Sequence, residues 1–240
     1  MEGFGLSTPV LLGITLILSY LIGSVPLTWL LVKVIKGKDL HEYGSGNAGA
    51  SNAFTTTHSI PITVIGGFFD LIKGYLCMFL AAKLGLPLYF QLLAGLGAIL
   101  GHNYSLFLKG SGGRGVLTTV GVLFYMSPWL AVIALVIALS FVPFHQLALG
   151  TVLAASATAV LVSAVPQLFG FTEKGTANYM AVTAFLILAL LIVRRLMAKR
   201  TALSANEPLW RVLLCRALFD RDIPNREAWI NQDRTLPIAD

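Results

Sequence analysis

A chain of 240 residues that is 56% hydrophobic and only 12% charged, with a mean hydropathy of +0.79, is excluded from the ordinary soluble domains. Its net charge of +6 rests on 17 Lys and Arg residues set among long apolar runs, which suits membrane lipids as partners and not nucleic acid. The two cysteines, Cys77 and Cys215, fit no metal-ligand spacing and read as small apolar side chains, so neither a metal nor a cofactor is expected.

The apolar runs fall near Leu6–Ile35, Ile60–Ala82, Leu86–Leu108, Val116–Phe141, Leu147–Phe169 and Tyr179–Val193, and the longer ones reach the ~20 residues that span a hydrocarbon core. The first lacks a basic n-region and continues past any short h-region, so it is expected to be a membrane span and not a cleaved signal peptide. Directly after it comes Glu42-Tyr-Gly-Ser-Gly-Asn-Ala-Gly-Ala-Ser-Asn-Ala-Phe54, and a second such loop, Lys109-Gly-Ser-Gly-Gly-Arg-Gly115, lies between the third and fourth runs. Both are dense in backbone N–H groups that no bulky side chain covers, and each has a cation nearby, the arrangement that cradles phosphate. The first loop offers Ser45, Gly46, Asn47, Gly49 and Asn52; the second offers Gly112, Gly113 and Arg114. Tight turns and close helix contacts would use the same glycines.

Between the loops, Asp70 and Lys73 lie three apart and therefore share a helix face within an apolar span. An intramembrane ion pair marks a functional site by default, and it also serves to tie one helix to a neighbouring loop. His102, just before the second loop, either bonds a substrate or finishes its helix with a hydrogen bond. Asn103-Tyr-Ser105 matches a glycosylation sequon but falls at the end of a span, where the match reads as chance.

Charge sets the topology. Lys33, Lys36 and Lys38 flank the first loop, Lys109 and Arg114 lie in the second, and the stretch between the second and third runs carries only Lys83. Nine of the seventeen cations follow Val193: Arg194, Arg195, Lys199, Arg200, Arg211, Arg216, Arg221, Arg226 and Arg234. Basic segments favour the cytoplasm, which places the N-terminus outside and both Gly-rich loops inside. Six simple crossings would then leave the basic tail outside. Ser127-Pro128, in the middle of the fourth run, resolves the conflict, because proline removes a backbone donor and breaks the run into two short helices. The expectation is an all-α membrane protein of about seven helices, two of them short, with a turn at Pro143–Gln146 facing the cytoplasm. Residues 1–198 form the membrane domain and 199–240 a cytoplasmic basic tail. Within the tail Leu209, Trp210, Leu213, Leu214, Ala217 and Leu218 recur at helical spacing and predict a helix lying in the membrane interface, while Asp220-Arg-Asp222 and Asn225-Arg-Glu227 read as solvated.

Taken in order, Gly23-Ser-Val-Pro26, Gly37-Lys-Asp-Leu40, the Glu42–Asn52 loop, Phe69-Asp-Leu-Ile-Lys-Gly74, Gly101-His-Asn103 and Gly112-Gly-Arg-Gly-Val116 resemble the bacterial membrane glycerol-3-phosphate acyltransferases of the PlsY type over about residues 12–128. The resemblance implies seven membrane helices with cytoplasmic active-site loops in the bacterial inner membrane. It implies acyl transfer from acyl phosphate to the 1-hydroxyl of glycerol 3-phosphate, giving lysophosphatidic acid, and an enzyme supplying acyl phosphate as a partner. It also implies that a substrate phosphate acts as the base, so no side chain is assigned as catalytic. The chain departs from the family pattern at His41 and Thr55, where family members carry Arg, at Ser111 and Arg114, where they carry Lys, and at His145–Leu149. The family's closing His-Arg-x-Asn group has no match in Leu191-Ile-Val-Arg-Arg-Leu196, where Arg194 and Arg195 stand either as replacement phosphate contacts or as topology anchors.

Acyl phosphate carries a good leaving group, so such a site needs no protein nucleophile. It must align two phosphorylated reactants and stabilise developing charge, work suited to the two loops. Three functions stay open on the sequence: an acyltransferase, a non-catalytic homologue that binds lipid or a partner enzyme, and a transporter built on the broken helix and the Asp70–Lys73 pair.

Overall fold

The computed structural model describes residues 7–232, all of whose regular structure is helical. Leu6, at the edge of the first predicted span, and Arg234, counted in the basic tail, lie outside the described residues. Helix α1 (Thr8–Ser24) and α2 (Leu27–Lys36) together make the first apolar run, which Val25-Pro26 interrupts. Pro26 brings no N–H and pushes Val25 out of the helical region, to φ −61° and ψ 113°. A left-handed Gly37 (φ 65°) stops α2. There follow α3 (Ala50–Thr57), α4 (Ile60–Lys83), α5 (Leu88–Asn103), α6 (Val116–Met126), α7 (Pro128–Ser140), α8 (Leu147–Ala164), α9 (Lys174–Leu196), α10 (Leu209–Phe219) and α11 (Arg226–Ile230). By length and composition, Thr8–Lys36, Ile60–Lys83, Leu147–Ala164 and Lys174–Leu196 can each cross a membrane, and α6 and α7 are shorter apolar helices.

The predicted break is at Ser127, whose extended backbone (φ −161°, ψ 127°) ends α6 and opens α7, with Pro128 as the first helical residue. The chain reverses there. Helix α6 starts beside Asn103, at the end of α5, and reaches Gln91 near the start of α5, where Tyr125 Oη donates to Gln91 Oε1 at 2.9 Å. Helix α7 runs back and turns through 141–146 into α8, whose first turn accepts Arg195 from the end of α9 through the Ala148 carbonyl at 2.9 Å. Seven legs therefore run between the two ends of the bundle: α1–α2, α4, α5, α6, α7, α8 and α9. Both Gly-rich loops, the 141–146 turn and the tail meet at one end.

Small residues let these legs approach closely. A side chain at Gly74 would run into the Thr118 carbonyl, and one at Gly121 into the Leu71 carbonyl, so α4 and α6 touch backbone to backbone. Met78, Ile99, Val122, Leu123, Leu130 and Ile187 fill the core, while Ile17, Val64, Phe68, Val136, Val160 and Val182 face outward, as expected of helices bathed in hydrocarbon.

The tail differs from its sequence reading. Helix α10 does leave Leu209, Trp210 and Leu214 exposed, but it packs Val212 and Cys215 on the bundle. The Asp220–Asp222 stretch is not solvated: Arg221 and Asp222 are buried. Asp222 accepts from Arg216 Nε at 2.6 Å, Ser204 Oγ at 2.8 Å and the Thr201 amide at 3.0 Å, which satisfies a charge that burial would otherwise penalise. Asn225, Arg226 and Glu227 are exposed, as expected.

Candidate active site

The break between α1 and α2 leaves carbonyls without helical partners, and the site is built on them. Lys73 Nζ donates to Gly23 O at 3.0 Å and Val25 O at 3.1 Å, and Ser105 Oγ donates to Ser24 O at 2.6 Å. Lys73 also pairs with Asp70 Oδ1 at 2.8 Å, one turn earlier on α4, while Thr28 Oγ1 donates to Asp70 Oδ2 at 3.2 Å. Both members of the pair are almost wholly buried, at 3% and 2% exposure. The pair ties α4 to the α1–α2 break, and not to the first loop as one of its two sequence readings had it.

His102, in the last turn of α5, places Nδ1 3.4 Å from Asp70 Oδ1 and 3.3 Å from Lys73 Nζ. An ammonium has three protons, and Gly23 O, Val25 O and Asp70 take all three. The proton between His102 and Asp70 therefore belongs to Nδ1, and in the neutral ring Nε2 is the acceptor. Nε2 lies against Gly113, where any side chain would collide with it, and a side chain at Gly112 would strike the His102 carbonyl. These glycines serve close approach. Gly23, Ser24, Ala48, Asp70, Lys73, His102, Gly112 and Gly113 line a narrow cleft of about 10 Å³, room for a single small polar group. The Ser24 hydroxyl is buried in it without a protein partner, a group that a polar ligand would satisfy.

On the other side of Gly112–Gly113 stand the cations. Arg194 donates from Nε to Gly113 O and from Nη2 to Gly112 O, both at 3.1 Å, and its guanidinium stacks on Tyr104 at 5.2 Å. Arg114 pairs through Nε with Asp220 at 2.8 Å and donates from Nη1 to Arg194 O at 3.0 Å. Arg195 is buried and bonds the Ala217 and Ala148 carbonyls and Thr151, so it joins the tail to α8 and does not face the cleft. Of the two arginines set against the missing family group, Arg194 alone braces the second loop.

The first loop commits part of its backbone and one side chain to holding its own shape. Asn52 is buried, accepts from the Ser45 amide at 2.8 Å and donates to Leu40 O, Tyr43 O and Asn47 O, so it is the loop's internal clamp. The Gly46 amide is spent on Tyr43 O at 2.9 Å, and the Gly113 amide on His102 O at 2.9 Å. The Ser45 hydroxyl accepts from Asn47 Nδ2 at 3.2 Å, and Asn47 lies 3.5 Å from Asp220. Gly49 caps α3. Asn103 and Ser105 of the sequon are buried.

His41, where the family pattern has Arg, ties the loops together: its ring nitrogens face Asp39 Oδ1 at 2.9 Å and Ser111 O at 2.7 Å. Burial would raise the Asp39 carboxyl, but hydrogen bonds from the Trp29 indole and from the His41 amide and ring outweigh it and hold the group at about 2. Its contribution to stability is therefore complete above the unfolded value of ~4 and is lost only as pH falls towards the folded one. Thr55, the other departure, is half-exposed on α3 and bonds only its own helix, to Ser51 O. Sequence reasoning missed Ser24 and Ser105, although Gly23-Ser-Val-Pro26 had pointed to the first, and it missed Asp220.

Comparison with known proteins identifies the family. The family model described as glycerol-3-phosphate acyltransferase matches residues 13–204. Glycerol-3-phosphate acyltransferase 4 of Dehalococcoides mccartyi strain CBDB1 is 39% identical over 215 residues, covering 89% of this chain and 90% of the relative. Glycerol-3-phosphate acyltransferase 2 of Moorella thermoacetica is 41% identical over 150 residues, covering 62% of this chain and 76% of the relative. Among solved structures, PlsY (YgiH), an integral membrane glycerol 3-phosphate acyltransferase, in its glycerol 3-phosphate form superposes with a TM-score of 0.66 and 30% identity over 77% of this chain and 88% of that one. With a matching family model over most of its length and a bundle of the same fold, the chain belongs to the glycerol-3-phosphate acyltransferase family.

Proposed function

We propose that this protein transfers an acyl group from acyl phosphate to the 1-hydroxyl of glycerol 3-phosphate, at the cytoplasmic face of a bacterial inner membrane, forming lysophosphatidic acid and inorganic phosphate. The observation that carries the reading is the pairing across Gly112–Gly113 of an imidazole nitrogen with a guanidinium cluster. His102 Nε2 accepts a hydrogen bond from the glycerol hydroxyl, with Asp70 fixing the ring in the tautomer that makes this acceptance available. The hydroxyl oxygen forms the new bond to the carbonyl carbon, the bond from that carbon to the phosphate oxygen breaks, and the proton leaves with the phosphate. Arg114, Ser45 and Asn47 hold the phosphate of glycerol 3-phosphate from the aqueous end, and the acyl chain stays on the hydrocarbon side, along the exposed Leu106 and Phe107. The test is donor choice: with labelled glycerol 3-phosphate, acyl phosphate should yield extractable labelled lipid and an acyl thioester should not. Lipid formed from the thioester alone would overturn the donor assignment.

Ser45 supplies the first loop's free hydroxyl. Its replacement by alanine is expected to raise the glycerol 3-phosphate KM or lower kcat by about ten- to a hundredfold, the worth of one charge-assisted bond. Unchanged kinetics in the folded variant would make that loop a turn only.

The membrane arrangement follows the seven legs, with residues from 199 onward as the cytoplasmic tail, the exposed Leu209, Trp210 and Leu214 in the interface, and the enzyme that supplies acyl phosphate at the same face. Single cysteines near Gly46, Gly112 and Ala205, in a background free of Cys77 and Cys215, should all be labelled from the cytoplasmic side alone. External labelling at Ala205 would contradict the seven-leg count.

A further inference from the structure

The family match ends at residue 204, yet a residue of the following tail stands inside the cation cluster. Asp220 sets its two carboxylate oxygens 2.8 and 2.9 Å from Arg114 Nε and lies 3.5 Å from Asn47 Nδ2, so one tail residue meets both Gly-rich loops. We infer that Asp220 is a positioning residue for the acceptor phosphate, acting through Arg114. This deepens the reading above, on which it rests, and makes the tail a part of the active site.

The placement of Asp220 is over-determined. It ends α10 in the left-handed region (φ 54°), which aims its side chain back at the second loop. The surrounding turn is fixed by Arg195 Nη1 on Ala217 O at 3.0 Å, by the Arg216–Asp222 pair at 2.6 Å and by Arg216 Nη1 on Leu196 O at 3.0 Å. A guanidinium has five N–H donors in a rigid plane. Asp220 takes Nε and the Arg194 carbonyl takes one proton of Nη1, while Nη2 has no protein partner among the described residues. Contacts at Nε and Nη1 hold the plane and leave the Nη2 protons for an anion. Arg114 also stands next to Arg194, and the carboxylate offsets the repulsion between two cations that would otherwise drive Arg114 away. On the topology proposed above Arg114 and Asp220 stand at the cytoplasmic end of the site, so the phosphate held there is that of the water-soluble acceptor.

Asparagine and glycine both tolerate the left-handed backbone, so Asp220→Asn and Asp220→Gly remove the charge without straining the turn. Each is expected to raise the KM for glycerol 3-phosphate about tenfold, with kcat and the KM for acyl phosphate within about twofold of the parent. Added to Arg114→Ala, Asp220→Asn should cause no further loss, since residues acting as a unit do not add. A merely structural role would lower thermal stability and kcat and would add to the Arg114 variant. Unchanged KM in an active parent overturns this inference alone. Lowered KM overturns it as well, because the carboxylate would then be a competitor of the phosphate. A parent that makes no lipid overturns the functional reading instead.

Discussion

Replacing His102 by alanine is expected to lower kcat by about 10²–10³-fold while the KM for glycerol 3-phosphate changes little, the size of effect given by a group that handles the reacting proton or its oxygen. The cause is specific. Three acceptors consume the protons of Lys73, the Nδ1 proton faces Asp70, and in the neutral ring Nε2 is the acceptor beside the cleft. His102→Gln keeps most of the volume at the helix end and separates the two roles left open by the sequence. If His102 only finishes α5, the folded glutamine variant should transfer at nearly the parent rate; on the present account it should be almost as impaired as alanine. Steady-state kinetics, with thermal unfolding in detergent to establish folding, decide between them.

The largest stability effect is expected from Lys73→Met. The change leaves the Asp70 carboxylate buried beside a thioether and strips the donor from the Gly23 and Val25 carbonyls at the α1–α2 break. Breaking a buried pair from one side costs about 3–5 kcal/mol, enough to prevent accumulation of a marginally stable protein. Removing both charges is far milder. Asp70→Asn combined with Lys73→Met should regain part of the thermal stability and accumulate in the membrane, yet stay inactive because His102 has lost the partner that fixes its tautomer. A stable Lys73→Met protein, or an active double variant, would remove the pair from both roles.

These expectations show how far the sequence could be read. The apolar runs and the break at Ser127-Pro128 were legible because length, proline and charge parity are local or additive properties, and α6 and α7 meet at that dipeptide. The break at Pro26 was hidden inside a run read as one span, although it exposes the carbonyls on which the Asp70–Lys73 pair is built. Hydrophobicity alone does not distinguish a continuous helix from one bent around a polar cluster. The Gly-rich loops stood out by composition, but the bonds that shape them did not. Asn52 clamps the first loop from within, and the glycines of the second make room for His102. Neither constraint has a signature in the spacing of residues. Asp220 was unreadable for another reason. An acidic residue after an amphipathic helix is ordinarily solvated, and its partner lies 106 positions earlier in the chain.

The most direct test of the central claim is the stoichiometry of a single incubation. Purified protein in lipid nanodiscs receives acyl phosphate and radiolabelled glycerol 3-phosphate, and extractable labelled lipid and free inorganic phosphate are measured together over time. Acyl transfer at this site predicts lysophosphatidic acid and phosphate rising in a one-to-one ratio, with both suppressed in the His102→Ala protein. Phosphate released without labelled lipid, or no labelled lipid at all from the folded parent, would contradict it.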